Sequence, residues 1–312
     1  MNITNCVLPN KQLFQHRILP ALYILVFIVG LVANGWGLKS LLHNWKKLGD
    51  VNVFILNLGL ADILYLLTLP FLVVYYLKGN VWIFGGVFCK VTRFCFNLNL
   101  YCSIGFLTCI SVYRYLAIVH PMRVMGRITV SHSVIISAMV WILASVQSLP
   151  DMFFPKTSGK KSKCFDSTSQ EYIEEYLKYS LGWTLTGFCI PFLITLGCYG
   201  HMICVLRRKR TVDKILKQRS LRLLFILILL FSVCYTPHYV LKNVSLYSRV
   251  LIKQKICSYW DSRVFSAHQI GRGLVCLNSA LNPLVYLHVN EHITAQLRQL
   301  LQRVRSTFHQ LF

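Results

Sequence analysis

The sequence predicts an all-α membrane protein, a bundle of seven transmembrane helices followed by a short amphipathic C-terminal helix. Of its 312 residues, 55% are hydrophobic and only 14% are charged, whereas soluble domains carry roughly 25% charged residues. Seven stretches approach the roughly 20 residues needed to cross a hydrocarbon core. Lysines and arginines gather in the short connections between alternate stretches, as they do in the cytoplasmic loops of membrane proteins.

The seven predicted spans occupy most of the chain, with residues 1–17 before them and residues 289–312 after them. They cover residues 18–42, 53–76, 91–119, 133–154, 176–206, 221–241 and 263–287. The first 17 residues lack the basic start, apolar middle and small-residue cleavage site of a signal peptide. We therefore expect an extracellular N-terminus at 1–17, a seven-transmembrane bundle at 18–288, and an uncleaved first span that acts as an anchor.

Orientation follows from the basic residues of the short loops. The loops predicted to face the cytoplasm contain Lys46, Lys47, Arg123, Arg127, Arg207, Arg208, Lys209, Arg210, Lys214, Lys217, Arg219 and Arg222. This distribution predicts a multi-pass plasma-membrane protein with its N-terminus outside the cell. Asn2 in Asn2-Ile3-Thr4 then becomes an acceptor for N-glycosylation.

The formal net charge is +23, but basic residues at both ends of a membrane bundle do not make a groove-reading surface for a nucleic acid polymer. Anionic membrane lipid explains the cytoplasmic share. The predicted outer side carries Lys156, Lys160, Lys161, Lys163, Arg249, Lys253, Lys255 and Arg263. A surface this basic concentrates anions.

Four of the twelve cysteines fall on the predicted outer side: Cys6, Cys89, Cys164 and Cys257. Four cysteines in an oxidising compartment suggest two disulfides, with three pairings open. None of the twelve shows the clustered spacing of a metal site. We expect neither a metal centre nor a cofactor, apart from the sodium ion considered below.

Proline at inner positions kinks several spans, namely at Pro70, Pro150, Pro191, Pro237 and Pro283. A kinked bundle can exchange between packings of similar energy, as a switch requires. After the last span, helical spacing of apolar residues opposite arginines predicts a helix lying on the inner leaflet. Its apolar face consists of Ile293, Leu297, Leu300, Leu301 and Val304.

Asp62 is a carboxylate about halfway along the second span. An ionisable group at that depth is expensive and is by default a functional hypothesis. Polar residues at comparable depth in other spans are Asn34, Ser103, Asn278, Ser279 and Asn282. We expect them to surround Asp62, with a sodium ion or water completing the shell; the alternative is a polar network that only joins helices.

Three cations converge near the outer side of the bundle. Arg272 lies 14 residues before Tyr286, or roughly 21 Å along a helix, and Arg93 and Lys242 reach a similar level. Carboxylates of the outer loops could neutralise them, with Asp166 the best placed beside Glu171, Glu174 and Glu175. One acid against three cations leaves net positive charge, so the pattern favours an anionic ligand, which arginine binds through its planar fork.

Aromatic and amide side chains near these cations suit a ring-bearing ligand. They are Phe96, Asn97, Tyr101, Tyr172, His238, Tyr239, Asn243 and Gln269. At the cytoplasmic end, Arg114 is either a snorkelling side chain or a functional one. The chain shows no nucleophile, base and orienter constellation, so we do not expect an enzyme.

Motifs on all seven spans resemble the rhodopsin-like (class A) G protein-coupled receptors: GLVANG, NLGLAD ending at Asp62, Cys89, Arg114-Tyr115, Trp141, Pro191 with Tyr199, Pro237, and Asn282-Pro283-Leu284-Val285-Tyr286. Within that class the chain is most similar to the purinergic nucleotide receptors, and among them to the ADP receptor branch. The segments WIFGGVFCKVTRF, NLYCSIGFLTCIS, CFDSTSQEY, FCIPFLITLGCYG and HQIGRGLVCLNS carry this similarity.

The resemblance implies disulfides Cys89–Cys164 and Cys6–Cys257. It also implies that Arg93, Lys242 and Arg272 read phosphates, with Tyr101, Tyr239 and Gln269 nearby. Asp62, Ser103, Asn278, Asn282 and Tyr286 become a sodium and switch site, and Arg114 and Tyr199 become G protein contacts. The implied function is a receptor that responds to an extracellular adenine nucleotide such as ADP or ATP through a heterotrimeric G protein, Gq with calcium mobilisation.

Some residues depart from the family pattern. His238, Asn97 and Cys276 differ from the residues expected in an ADP receptor. Tyr113 replaces the usual acid before Arg114, Lys217 replaces an acid at the inner end of the sixth span, and Tyr235 replaces a tryptophan. We therefore expect packing and hydrogen bonds to hold the resting state and to leave Arg114 able to contact a G protein. The alternatives are a receptor for a dicarboxylate such as succinate or 2-oxoglutarate, and an organic-anion transporter.

Overall fold

The computed structural model describes residues 17–43, 49–121, 129–158, 163–208, 214–256 and 261–289, together with Gln299, Gln302 and Ser306. Asn2, Cys6 and Cys257 lie outside the described residues, so their predicted glycosylation and disulfide stay predictions. The apolar face predicted for the C-terminal helix also lies outside them. Gln299, Gln302 and Ser306 have helical backbone and exposed side chains, three or four positions apart on one helix face.

The described residues form a bundle of seven helical spans, numbered here in chain order. Span 1 is Leu19–His43, span 2 is Asp50–Leu66 continued by Leu69–Leu77, span 3 is Gly86–Val119, and span 4 is Val130–Ser148 continued by the 3₁₀ turn Leu149–Met152. Span 5 is Ile173–Thr184, Leu185–Cys189 and Ile190–Arg208; span 6 is Lys214–Leu230, Phe231–Tyr235 and Thr236–Lys253; span 7 is Asp261–Leu281 followed by Pro283–Val289.

Six of the described helices are long and apolar enough to cross a membrane by composition alone. Span 7 is not among them, although it packs against spans 1 and 6 as part of the same bundle. Its polar side chains, which include His268, Arg272 and Asn278, lower its average hydropathy. Those side chains are buried inside the bundle, where they contact other helices and not lipid. The prediction of seven spans is confirmed.

The observed helices are longer than the predicted spans because a helix can continue beyond the hydrocarbon layer. Span 6 extends to Lys253 and span 3 begins at Gly86, whereas the apolar patterns end at 241 and begin at 91. The predicted kinks occur where proline removes a backbone donor. Wider π-type turns precede Pro191 and Pro237, and a break at Asn282 precedes Pro283.

Packing between spans 2, 3, 5 and 6 forms the main core, which includes Leu58, Phe106, Leu227, Phe231 and Tyr235. The opposite helix faces carry exposed leucine, isoleucine and valine, for example Val32 and Leu193. In a soluble protein such faces would aggregate, whereas here they face lipid. Each helix is thus apolar on most of its surface, as a membrane bundle requires.

A short hairpin closes one end of the bundle, called the hairpin end below. Strand β1, Thr157–Ser158, pairs antiparallel with β2, Lys163–Cys164. The disulfide between Cys89 and Cys164, with Cα atoms 5.7 Å apart, ties β2 to the start of span 3. This pairing confirms one of the two predicted disulfides, and it fixes the segment that follows Cys164 above the ends of spans 3, 6 and 7.

Candidate anion-binding site

A cavity of about 350 Å³ opens at the hairpin end between spans 3, 6 and 7. The segment after Cys164, residues 165–167, forms part of its wall. The lining residues are Arg93, Phe96, Asn97, Phe165, Asp166, Ser167, His238, Lys242, Ser245, Leu246, Ser248, Arg249, Ile252, Phe265, His268 and Arg272. The volume falls at the lower end of the range for small-molecule sites.

The three predicted cations all line this cavity, although they come from three different spans. Arg93, Lys242 and Arg272 keep only 3%, 8% and 3% of their surface exposed. A fourth cation, Arg249, lies on the same side of the cavity. Sequence reasoning placed Arg249 on the outer surface but not in the site. Arg249 lies seven residues after Lys242, which is two turns along the same face of the helix. That spacing predicts that both side chains face the same cavity.

Asp166 is the carboxylate that faces these cations. Its Oδ2 accepts a hydrogen bond from Arg272 at 2.9 Å, and His268 Nδ1 lies 4.0 Å from the same oxygen. Burial alone would raise the pKa of Asp166, but the charges of Arg272, Arg93 and Arg249 outweigh it and hold the pKa below its usual range. Asp166 is therefore ionised, and it neutralises one of the four cations.

The backbone after the disulfide is pinned by the remaining arginines. Arg93 donates to the carbonyl of Cys164 at 3.0 Å. Arg249 donates to the hydroxyl of Ser167 at 2.5 Å and to the carbonyl of Thr168 at 2.8 Å. These acceptors are neutral, so they orient the guanidinium groups without cancelling their charge. We call residues 164–168 the lid segment.

The cavity lining therefore carries four cations and one carboxylate among the described residues. Buried cations are costly unless an anion pairs with them. The Nε of Arg93 is buried and makes no hydrogen bond to any described residue. Both observations favour an anion that enters from the hairpin end and accepts from several donors at once.

The apolar part of the cavity wall includes Phe96, Phe165 and Phe265. His238 joins them from span 6; it is 1% exposed, and neither ring nitrogen has a hydrogen-bond partner among the described residues. Gly271 lets span 7 approach closely here, because a Cβ at that position would lie 3.2 Å from the Cα of His238. The wall thus combines flat apolar surfaces with one unpaired imidazole.

Four of the predicted ligand residues do not line the cavity. Tyr101 and Tyr239 are buried in the main core, where Tyr239 stacks on Phe188 with centroids 4.7 Å apart. Gln269 is buried beside Arg272 and accepts from it at 3.4 Å. Tyr172 is 39% exposed at the start of span 5. The cavity wall does contain Phe96, Asn97, Asp166 and His238. Their predicted roles in ligand binding stay predictions.

Asp62 forms a second polar site, deep in the bundle. Its two carboxylate oxygens accept from Asn99 at 2.9 Å and from Asn282 at 2.8 Å. Asn99 was not predicted, because one asparagine in span 3 has no distinctive pattern around it. Ser103 lies 3.4 Å from Asn99, whereas Asn278 donates to Tyr235 at 2.5 Å and not to Asp62.

The same region fits a small hard cation by its oxygen content. The Oδ1 atoms of Asn278 and Asn282 are buried and have no partner among the described residues, and hard cations take carboxylate and carbonyl oxygens. The nearby Tyr286 donates to Asn34 at 2.8 Å. Its ring packs where a Cβ on Gly37 would lie 2.7 Å away, so spans 1 and 7 meet closely at this tyrosine.

At the opposite end of the bundle, hydrogen bonds flank Arg114. Tyr113 donates to Asp50 Oδ2 at 3.3 Å, and Tyr115 OH lies 2.7 Å from His201 Nδ1. These contacts tie span 3 to spans 2 and 5 on either side of Arg114. Tyr199 packs on the main core from span 5. These two hydrogen bonds are candidates for the contacts that hold the resting state, which stays a hypothesis.

Comparison with known proteins matches residues 38–286 to the family described as 7 transmembrane receptor (rhodopsin family). The chain is 40% identical to purinoceptor 1 of Rattus norvegicus over 279 residues, which are 88% of this chain and 75% of that protein. Purinoceptor 1 of Homo sapiens is 39% identical over 280 residues, 89% and 75% of the two chains. The 2-oxoglutarate receptor 1 of Rattus norvegicus is 35% identical over 293 residues, 93% and 86%.

Proposed function

Because the chain belongs to the rhodopsin family of seven-transmembrane receptors, we propose that it is a plasma-membrane receptor for an extracellular nucleotide. An adenine nucleotide such as ADP or ATP is the favoured ligand, since purinoceptor 1 is similar along 88% of the chain. Ligand binding shifts the bundle toward a packing that activates a heterotrimeric G protein, with Gq and calcium release as the proposed output. Only a difference in affinity between two packings can drive such a shift.

The observation that carries this proposal is the excess of buried cations over carboxylates in the cavity. Phosphate groups suit Arg93, Lys242, Arg249 and Arg272 through charge and multiple acceptor oxygens. The phenylalanines of the wall offer surfaces for a base or ribose ring. His238 has two unpaired ring nitrogens, which suit a neutral hydrogen-bonding group beside the phosphates.

In this arrangement the lid segment and the ligand compete for the arginines. Arg93 and Arg249 now donate to backbone and hydroxyl oxygens, which phosphate oxygens can replace. The cavity faces the extracellular side under the proposed orientation, with residues 1–17 also outside and Asn2 available for glycosylation. Loss of a mass increment after Asn2→Gln, tested with an N-glycosidase, would support that orientation.

A second candidate ligand is a small dicarboxylate. The similarity to a 2-oxoglutarate receptor favours it, and the same cations would bind two carboxylates. The dicarboxylate has no ring, so its binding should not depend on the aromatic wall. A third hypothesis, transport of an organic anion, predicts uptake of labelled ligand without signalling.

The deciding experiment is a calcium-release assay in cells that express the full chain. The cells are challenged separately with ADP, ATP, UDP, UTP, succinate and 2-oxoglutarate, and untransfected cells serve as the control. A response to a nucleotide that is absent from control cells supports the proposal. A response to a dicarboxylate alone would transfer the function to the second candidate, and silence toward all six at normal surface expression would contradict both.

A further inference from the structure

Lys156 is a buried lysine directly beside the cavity, and the cavity lining does not include it. It is 1% exposed, and its Nζ donates to Asp151 Oδ1 at 2.7 Å and to the carbonyl of Ser167. A lysine this deep is rarely found unless it is paired. Burial lowers its pKa to about 8, while the charge of Asp151 opposes that shift.

Asp151 accepts from three donors at once. Besides Lys156, Tyr176 OH donates to Oδ1 at 2.7 Å and Asn97 donates to Oδ2 at 3.0 Å. The carboxylate is fully buried, so these three bonds supply what water would otherwise supply. The Asn97 side chain therefore orients Asp151, although Asn97 also borders the cavity.

Lys242 is the second lysine near this carboxylate. Its Nζ lies 5.8 Å from the centre of the Tyr176 ring, and the Nζ of Lys156 lies 4.9 Å from the same centre. The Tyr176 hydroxyl donates to Asp151, so Lys242 and Asp151 both lie beside the same side chain. Lys242 makes no hydrogen bond or ion pair to any described residue. Both lysines therefore lie near the Tyr176 ring, but only Lys156 pairs with Asp151.

We propose that Lys156 is a charge-positioning residue that occupies Asp151 and so leaves the charge of Lys242 available to an anionic ligand. The inference rests on the proposed function of the cavity as an anion site. Without Lys156, Asp151 becomes a buried charge lacking its main partner, and Lys242, which lies beside the Tyr176 side chain that also bonds Asp151, takes its place. Lys242 then pairs internally, and the cavity loses one unit of positive charge.

Lys156 also holds the lid segment on both sides of Asp166. Its carbonyl accepts from the backbone N–H of Phe165 at 2.7 Å, and its ammonium group donates to the Ser167 carbonyl. If the Lys156 side chain had only a structural role, it would act through its bond to the Ser167 carbonyl alone. The two roles predict different affinities when Asp151 is neutralised together with Lys156.

The test compares three proteins: the wild type, the single variant Lys156→Met, and the double variant that combines Lys156→Met with Asp151→Asn. Each is purified in nanodiscs and matched for folded fraction. Competition binding uses ADP, ATP and 2-oxoglutarate, because the charge argument holds for any anion. Lys156→Met should weaken binding about tenfold or more, in the range seen when one member of a buried charge pair is removed. The double variant should return to within about threefold of wild type, because the neutral amide that replaces the Asp151 carboxylate no longer attracts Lys242.

The same loss in both variants would overturn the proposal, since it would assign the effect to the lid contact. Lys253→Met is the matched control: Lys253 pairs with Glu174 at the exposed rim, and its loss should leave affinity within about twofold. If Lys156→Met does not fold, wild type measured from pH 7 to 9 gives the same comparison, because Lys156 loses its charge near pH 8. Affinity should then fall in wild type and hold steady in the double variant, and a parallel fall in both would contradict the proposal.

A ligand-free measurement separates this inference from the proposed function. Thermal unfolding midpoints of Asp151→Asn, Lys242→Met and their combination give the coupling between the two side chains. The coupling should be small in wild type and clearly larger in the Lys156→Met background. Equal coupling in both backgrounds would contradict the inference even if nucleotides bind. Failure of every anion to bind wild type would contradict the proposed function, and the coupling between Asp151 and Lys242 would still be tested by this cycle.

Discussion

The two polar sites of the bundle satisfy buried charge in opposite ways. At Asp62, one carboxylate accepts from the side-chain amides of Asn99 and Asn282, which lie on other spans. At the hairpin end, four cations face one carboxylate and a series of backbone oxygens on a loop. Helices complete the first site, whereas a lid segment completes the second.

The difference indicates which site is built to exchange its partners. Hydrogen bonds between side chains of different helices change only when the helices move. The bonds of Asp62 to Asn99 and Asn282 therefore depend on how the bundle is packed. Bonds from arginines to a loop carbonyl can break without moving a helix, and under the proposed function phosphate oxygens would take their place. Substitutions at the two sites should therefore separate ligand affinity from the equilibrium between packings.

The largest effect is expected at Arg272. Arg272→Ala removes a buried guanidinium that also holds Asp166, and loss of one partner of such a pair costs about 2 to 5 kcal/mol, at least about thirtyfold in affinity. Competition binding on membranes measures it. Lys253→Ala, at the exposed rim of the same end, is the control. Unchanged affinity in Arg272→Ala at equal surface expression would remove Arg272 from the ligand site.

A smaller effect, of a different kind, is expected at Asp62. In Asp62→Asn one carboxylate oxygen becomes an amide N–H that faces another amide donor, and a buried unsatisfied donor costs about 1 to 3 kcal/mol. Sodium should raise the thermal unfolding midpoint of wild type more than choline does, and this difference should vanish in the variant. Asn57→Asp, a polar position outside this cluster, is the control for charge on span 2. A sodium effect that survives in Asp62→Asn would place the ion elsewhere.

The pH dependence of stability sharpens the contrast on the cavity side. The pKa of Lys156 is lowered to about 8 by burial, against about 10.4 in an unfolded chain. Below pH 8 the lysine is protonated in both states and the cost of burying its charge is fully present. Between pH 8 and about 10.4 the folded state releases the proton first, so folding stability rises, by at most about 1.4 kcal/mol per pH unit.

Thermal unfolding of wild type from pH 7 to 10 measures this change. The variant with Asp151→Asn and Lys156→Met is the reference, because it lacks the titration of Lys156. Wild type should gain stability relative to the reference above pH 8. A constant difference across that range would show that Lys156 does not change its charge there.

The smallest effect is expected for the aromatic wall. Phe265→Leu keeps apolar volume but removes a ring face, and aromatic contacts contribute about 0.5 to 1.5 kcal/mol beyond burial, or about two- to twelvefold in affinity. Nucleotide affinity should fall by that amount, and 2-oxoglutarate affinity should not change. Phe71→Leu is the control, since Phe71 packs on Phe84 and Phe88 away from the cavity. Equal effects on both ligands would deny the ring a role in selectivity.

The depths of the cations and of Asp62 follow from the sequence, whereas the side chains that surround them depend on how the helices are rotated. Arg93, Lys242 and Arg272 reach one cavity because helical rise fixes their depth. Tyr239 lies within one turn of Lys242 but faces the core, and Tyr101 lies eight residues beyond Arg93, about 12 Å deeper along span 3. The rotation of a helix is weakly specified by its sequence when all its faces are apolar. In span 6, the π-type turn Phe231–Tyr235 precedes Tyr239 and shifts the faces of the helix beyond it.

Composition and spacing by themselves determined that this chain is a seven-span membrane bundle, that Asp62 is its deep carboxylate, and that its hairpin end carries unbalanced positive charge. These properties depend on hydrophobic length and helical rise, which are local along the chain. Only the tertiary structure decided that Asn99 completes the Asp62 site, that Asp151 holds Lys156, and that Lys242 stays unpaired among the described residues. Those outcomes depend on which side chains from distant segments meet in a dry interior, where a contact of a few ångströms decides which charge is neutralised.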